Sequence, residues 1–202
     1  IEKALCSESV TIDHYLLNKI RFYPLTDATN QAVDQPKAES NTTAIKELTV
    51  ISYAAKDLTN DLRKLAKLGF IHKKISSINL AYCSQTRGLS PLTKCIAHTD
   101  IDLYNCNQIT DLSSLAICTA LEHLNLHRLT QITDLSPLTK CTSLSNLNLK
   151  RCIKIRDISP LANCSTLKSL DLTLCKQITD LSPLANHPSL SELIGPDGDE
   201  VD

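Results

Sequence analysis

The sequence predicts an α/β solenoid. It should be a curved horseshoe of stacked coils, with a parallel β-sheet on the concave face and short helical or 3-10 turns on the convex face. Three observations predict it. Leu80, Leu103, Leu126, Leu149 and Leu172 recur at one interval of 23 residues. An ITDL signature returns with the same period at Ile109, Ile132 and Ile178, and as IRDI at Ile155. Aromatic residues make up only 3% of the 202 residues and Trp is absent, which suits a core of stacked Leu and Ile. Self-similarity at such a period marks an array in which one coil cannot bury its own apolar row and neighbours bury it by stacking.

Residues 1–44 read as an irregular N-terminal region or a degenerate repeat. Leu17, Ile20, Phe22 and Leu25 fit the form LxxLxLxxL, and the polar stretch 26–43 reads as a loop. Residues 45–74 read as a capping or transitional repeat. Ile45, Leu48, Val50 and Tyr53 fit LxxLxLxxC, with Tyr in the Cys slot. Leu58, Leu62, Leu65 and Leu68 then follow at helical spacing, and Gly69 is placed to stop the helix. Residues 75–189 are five regular 23-residue coils of the form LxxLxLxxCxxITDLSPLxxCxx. Residues 190–202 are a partial repeat, begun by Leu190 and Leu193, and an acidic tail, GPDGDEVD, expected to be a frayed end or the start of a linker.

Each slot in the regular coil has a physical reason. LxxLxL is a short strand whose alternation points its leucines inward. Asp111, Asp134, Asp157 and Asp180 are expected to accept backbone N–H bonds and fix the return turn. Ser-Pro is expected to open a short helical turn, with Ser as its cap and Pro in its first position. Cys83, Cys106, Cys152 and Cys175 form one column, with Leu129 in the remaining slot; Cys95, Cys118, Cys141 and Cys164 form a second, with His187 in the last. Neighbouring coils lie about 4.8 Å apart, whereas bridged Cβ atoms lie near 3.8 Å. The columns therefore read as buried free thiols serving as small hydrophobes, which implies a reducing compartment such as the cytosol.

Several function classes are excluded. The net charge of −1 gives no global field for nucleic acid or an anionic membrane. No apolar run is long enough to span a bilayer. The absence of Met reads as the mark of a fragment or processed chain. No CxxC pair suggests zinc, and His123 and His127 stand too far apart on a strand to share a metal. No Gly-rich phosphate loop, HExxH or GxSxG occurs. The chain is read as having no enzymatic activity, cofactor or metal.

The pattern resembles the leucine-rich repeat family. The return stroke ITDLSPL is similar to that of internalin-type repeats, and the Cys ending each strand is similar to that of cysteine-containing repeats. The departures are Gly88 in place of Asp and Ser114 in place of Pro. The mixture resembles bacterial effector repeat proteins. The resemblance implies a protein-binding module that engages a host protein through its concave face, located in the host cytosol if secreted. The alternative it leaves open is a substrate-recognition segment of a larger ubiquitin-ligase-type or other multidomain enzyme.

Candidate binding residues follow from the columns around the strand. The slot between the strand leucines holds Asn79, Asp102, Asn125, Asn148 and Asp171, and reads as a polar ladder whose side chains bond one another. The slots after the strand bring together Tyr82, Tyr104, His127, Arg128, Lys150 and Arg151. Like charges one strand apart cost a sheet some tenths of a kcal/mol, so packing does not ask for them. Tyr and Arg are common interface anchors. These six residues are the expected partner-binding patch of a monomer, facing an acidic or mixed protein surface.

Overall fold

The computed structural model describes residues 9–13, 47–51, 77–94 and 98–201. Eight short strands, β1 (Ser9–Asp13), β2 (Glu47–Ile51), β3 (Ser77–Asn79), β4 (Asp100–Asp102), β5 (His123–Asn125), β6 (Asn146–Asn148), β7 (Ser169–Asp171) and β8 (Glu192–Ile194), form one parallel sheet in chain order. The register keeps the repeat frame, with Ile78, Ile101, Leu124, Leu147, Leu170 and Leu193 aligned across β3 to β8. The ladder runs on past each strand. Leu80 donates its N–H to the Asp102 carbonyl at 2.8 Å, and Leu126 donates to Asn148 at 2.9 Å.

Inside the coils, the Leu, Ile and Cys slots form a single buried core. His98 takes a leucine slot and is buried there, as its position in the frame implies. The described cysteines, from Cys83 to Cys175, are buried without disulfides. They also do more than fill space. The thiol of Cys106 reaches the Leu80 carbonyl at 3.0 Å, Cys152 reaches Leu126 at 3.1 Å, and Cys175 reaches Leu149 at 3.0 Å. Each thiol thus ties its coil to the one before. Leu129 fills the slot with apolar bulk and has no such donor.

The chain returns through 3-10 turns at Ser90–Lys94, Ser113–Ile117, Ser136–Lys140, Ser159–Asn163 and Ser182–Leu184. The aspartates act as expected. Asp111, Asp134, Asp157 and Asp180 accept the N–H two residues on, at 2.7–2.8 Å. The expected serine cap is corrected: the N-cap positions are Leu112, Leu135, Ile158 and Leu181, with no side-chain cap bond. The Asp takes over the serine's role because its carboxylate reaches two residues forward, a local geometry open to short acceptors.

The tail also differs from expectation. Ile194 pairs antiparallel with Glu200, and the Val201 N–H bonds the Leu193 carbonyl at 2.8 Å. Gly198 supplies the φ of +94° that the tight reversal needs. His187, in the final Cys slot, joins the last coils. Its Nε2 lies 3.0 Å from the Cys164 carbonyl, while Nδ1 accepts the Leu190 N–H at 3.1 Å, so the proton sits on Nε2.

At the other end, β1 is a strand that the sequence reading missed. Val10 aligns with Leu48, and Leu48 with Ile78. The signal was present: VTIDHY at 10–15 returns as LTVISY at 48–53. The helix expected around Leu58 to Leu68 and the frame from Leu17 to Leu25 lie outside the described residues.

Candidate partner-binding site at the strand ends

The polar column between the strand leucines does not form the ladder expected of it. Each Oδ1 instead accepts the N–H two residues further on: Asn79 from Ala81 at 2.9 Å, Asp102 from Tyr104 at 2.9 Å, Asn125 from His127 at 3.1 Å, Asn148 from Lys150 at 2.9 Å and Asp171 from Thr173 at 2.8 Å. This local bond competes with side-chain pairing along the sheet and wins because it closes a short ring. It starts the turn that ends each strand.

The next position pays for that turn in backbone conformation. Tyr82, Asn105, Arg128, Arg151 and Leu174 have φ between +60° and +66°. Asn tolerates this region because its short polar side chain can bond the local backbone, whereas in the others the crowding of Cβ against the following carbonyl goes uncompensated, at roughly 1–2 kcal/mol each. The strain is imposed by the ladder, since the Arg128 N–H bonds the Lys150 carbonyl at 2.9 Å and the Arg151 N–H bonds the Thr173 carbonyl at 2.8 Å. Four bulky residues therefore occupy positions where Asn or Gly fits better.

All six residues singled out in the sequence fall on this rim. Tyr82 and Tyr104 meet edge to face with ring centroids 4.8 Å apart, and the His127 ring lies 4.8 Å beyond Tyr104. The Arg128 guanidinium sits 6.0 Å from the Tyr104 centroid. Burial lowers the His127 pKa, and the charges of Lys150, Arg128 and Arg151 lower it further, against an opposing pull from Asp171. Its Nε2 is buried with no hydrogen-bond partner within the protein. Tyr82 is 61% exposed, so the outer end of the row faces solvent.

Two depressions flank the rim. A trough of about 570 Å³ runs across β3 to β8 on the concave side, and its charged walls include Asp100, Asp102, Asp171 and Glu192. Beyond the rim, a hollow of about 560 Å³ is lined by Arg128, Arg151, Ile153, Leu174 and Lys176 among others. The sequence reading placed the two arginines in a site but missed Ile153 and Lys176. The signal lay in the column Ser84, Asn107, Thr130, Ile153 and Lys176, where one aliphatic side chain interrupts a polar series. Among the described residues, no group of three His, Cys, Asp or Glu side chains is arranged to hold a metal ion. No helix among them is long and apolar enough to cross a membrane.

A family model for leucine-rich repeats, in two copies, matches residues 119–163. Among solved structures, internalin C2 from Listeria monocytogenes is 30% identical with a TM-score of 0.57; the match covers 76% of this chain and 62% of that one. Internalin InlF from the same organism is 27% identical with a TM-score of 0.47, over 76% of this chain and 55% of that one. Toll, from the Toll–Spätzle complex of Drosophila, is 15% identical with a TM-score of 0.52, over 74% of this chain and 23% of that one. The chain thus spans less than two thirds of the length of either internalin. A search of the curated proteins returned no match.

Proposed function

Because these coils belong to the leucine-rich repeat family, with internalin-like return strokes, we propose that the chain binds a protein partner through the rim at its strand ends. The rim is the row Tyr82, Tyr104 and His127, flanked by Arg128, Lys150 and Arg151. The observation that carries the reading is the backbone strain: three of these six residues, Tyr82, Arg128 and Arg151, are held at positive φ where Asn would relieve it. Strain maintained against an available remedy clusters at functional sites. The aromatic row offers rigid contact area and the cations offer complementarity to an acidic or mixed surface.

The partner we favour is a host protein, met by a secreted bacterial effector that acts as a monomer in a reducing compartment. The buried cysteines support that compartment, since none needs oxidation to pack. A substrate-recognition role within a larger enzyme would use the same rim.

The test is affinity capture from host lysate with the wild-type chain and with Arg128→Ala plus Arg151→Ala, followed by titration of the captured protein. The double variant should bind at least several-fold more weakly. Unchanged affinity would remove the rim from consideration. For the compartment, thiol titration of the denatured chain without reductant should find all cysteines free; disulfides would overturn the reducing location.

A further inference from the structure

The hollow beyond the rim differs in chemistry from the trough. Three cations, Arg128, Arg151 and Lys176, line it, and no carboxylate does. Its apolar part is Ile153, 49% exposed, with Leu174 beside it at a φ of +63°. Neither position is explained by the core. Ile153 stands in an otherwise polar column, and Leu174 holds a strained conformation while half-buried. The parallel ladder fixes Arg128 and Arg151 about one strand spacing apart, roughly 4.8 Å, so the two guanidinium stems rise side by side. The Gln177 side chain adds a donor, because its Oε1 accepts the Arg156 Nε–H at 2.7 Å and leaves the amide NH₂ available.

We propose that this hollow takes an acidic segment of a protein partner, with carboxylates on Arg128, Arg151 and Lys176 and one aliphatic side chain on Ile153 and Leu174. The inference rests on the rim being a protein-binding surface and names the chemistry of what binds there. Charge complementarity selects the occupant and its side of the rim. The trough, walled by Asp100, Asp102, Asp171 and Glu192, repels an acidic segment, whereas the hollow attracts it. The apolar part distinguishes a peptide from a bare polyanion. A nucleic-acid strand would find no aromatic side chain in the hollow on which to stack a base.

The test uses the full chain and a fluorescein-labelled peptide, Glu-Leu-Glu-Glu-Leu-Glu, read by fluorescence polarisation. Two control peptides replace Glu by Lys or Leu by Ser, and a single-stranded oligonucleotide of equal charge is a third probe. The Glu/Leu peptide should saturate the protein. Each of Ile153→Ser and Lys176→Glu should weaken it about five- to tenfold, a tenfold loss being about 1.4 kcal/mol. Both substitutions fall on exposed side chains, so folding is not at stake. Binding unaffected by Ile153→Ser and Lys176→Glu, or no saturable binding, would overturn the hollow. So would an oligonucleotide or Ser-containing peptide binding as tightly as the Glu/Leu peptide. Loss with Tyr82→Ala or Tyr104→Ala but not with Ile153→Ser or Lys176→Glu would overturn the hollow while leaving the rim in place.

Discussion

Replacing Arg128 and Arg151 by Asn should make the protein more stable and a worse binder. Both arginines are held in the left-handed region, at φ +66° and +61°, by N–H bonds to the next coil. Asn105 occupies the same column at φ +60°, so the fold already accepts Asn there. Asn keeps the Cβ, so the gain comes from its short polar side chain, which can bond the local backbone and offset the penalty by about 1 kcal/mol per residue, at the low end of the usual range. Arg128 also loses its contact with the Tyr104 ring, 6.0 Å from the guanidinium. That contact is worth about 0.5 kcal/mol at an exposed site. Arg151→Asn should therefore gain about 1 kcal/mol and Arg128→Asn about 0.5 kcal/mol, or about 1.5 kcal/mol together. With an m-value near 2 kcal/mol/M, the urea midpoint should rise by about 0.7 M with its slope unchanged. The assay is urea denaturation followed by far-UV circular dichroism, paired with titration of the partner or of the Glu/Leu peptide. Asn rather than Gly is the informative change, since Gly would also alter the entropy of the unfolded chain. A double variant no more stable than wild type would refute the strain argument. A stabilised variant that binds as well as wild type would separate the strain from function.

Three further outcomes are expected. Burial pushes the thiol pKa of Cys83 and Cys141 up to about 12 and of Cys164 and Cys175 up to about 11, so the thiolate is scarce at neutral pH. These thiols should resist a thiolate-seeking reagent in the native protein and react after denaturation; fast native labelling would contradict the packing. Asn148→Ala should destabilise by about 1 kcal/mol through loss of the acceptor for the Lys150 N–H, while Asn148→Asp should fold like wild type, as Asp102 and Asp171 do; equal losses in both would refute the turn role. Bonds from the Ser113 and Ser159 N–H groups, and from the Ser182 hydroxyl, hold the Asp111, Asp157 and Asp180 carboxyls below the usual carboxylate range. A carboxyl lowered on folding stabilises the native state above its unfolded pKa, near 3.9, and the benefit disappears as pH falls through the folded value; thermal melts should therefore decline below about pH 4, and a flat profile there would contradict these bonds.

The sequence by itself determined the period, the direction of every regular strand and the composition of the core. A 23-residue repeat of Leu, Ile and Cys has one way to bury its apolar slots, and stacking in register follows from it. It also brought the six rim residues together, because columns in a repeat become neighbours in space. Tertiary structure decided several hydrogen bonds that the pattern of residue types had assigned differently. The Asn and Asp column turned to its own backbone, the Ser expected to cap the 3-10 turn does not cap it, and the tail folded back on β8. Each depends on dihedral angles, which a pattern of residue types does not carry. The left-handed column is the clearest case: Tyr, Arg and Leu give no local sign of positive φ, and only the ladder to the next coil imposes it. The hollow at Ile153 and Lys176 likewise exists only once the coils are stacked, because its walls come from successive repeats and its shape from the turn between them.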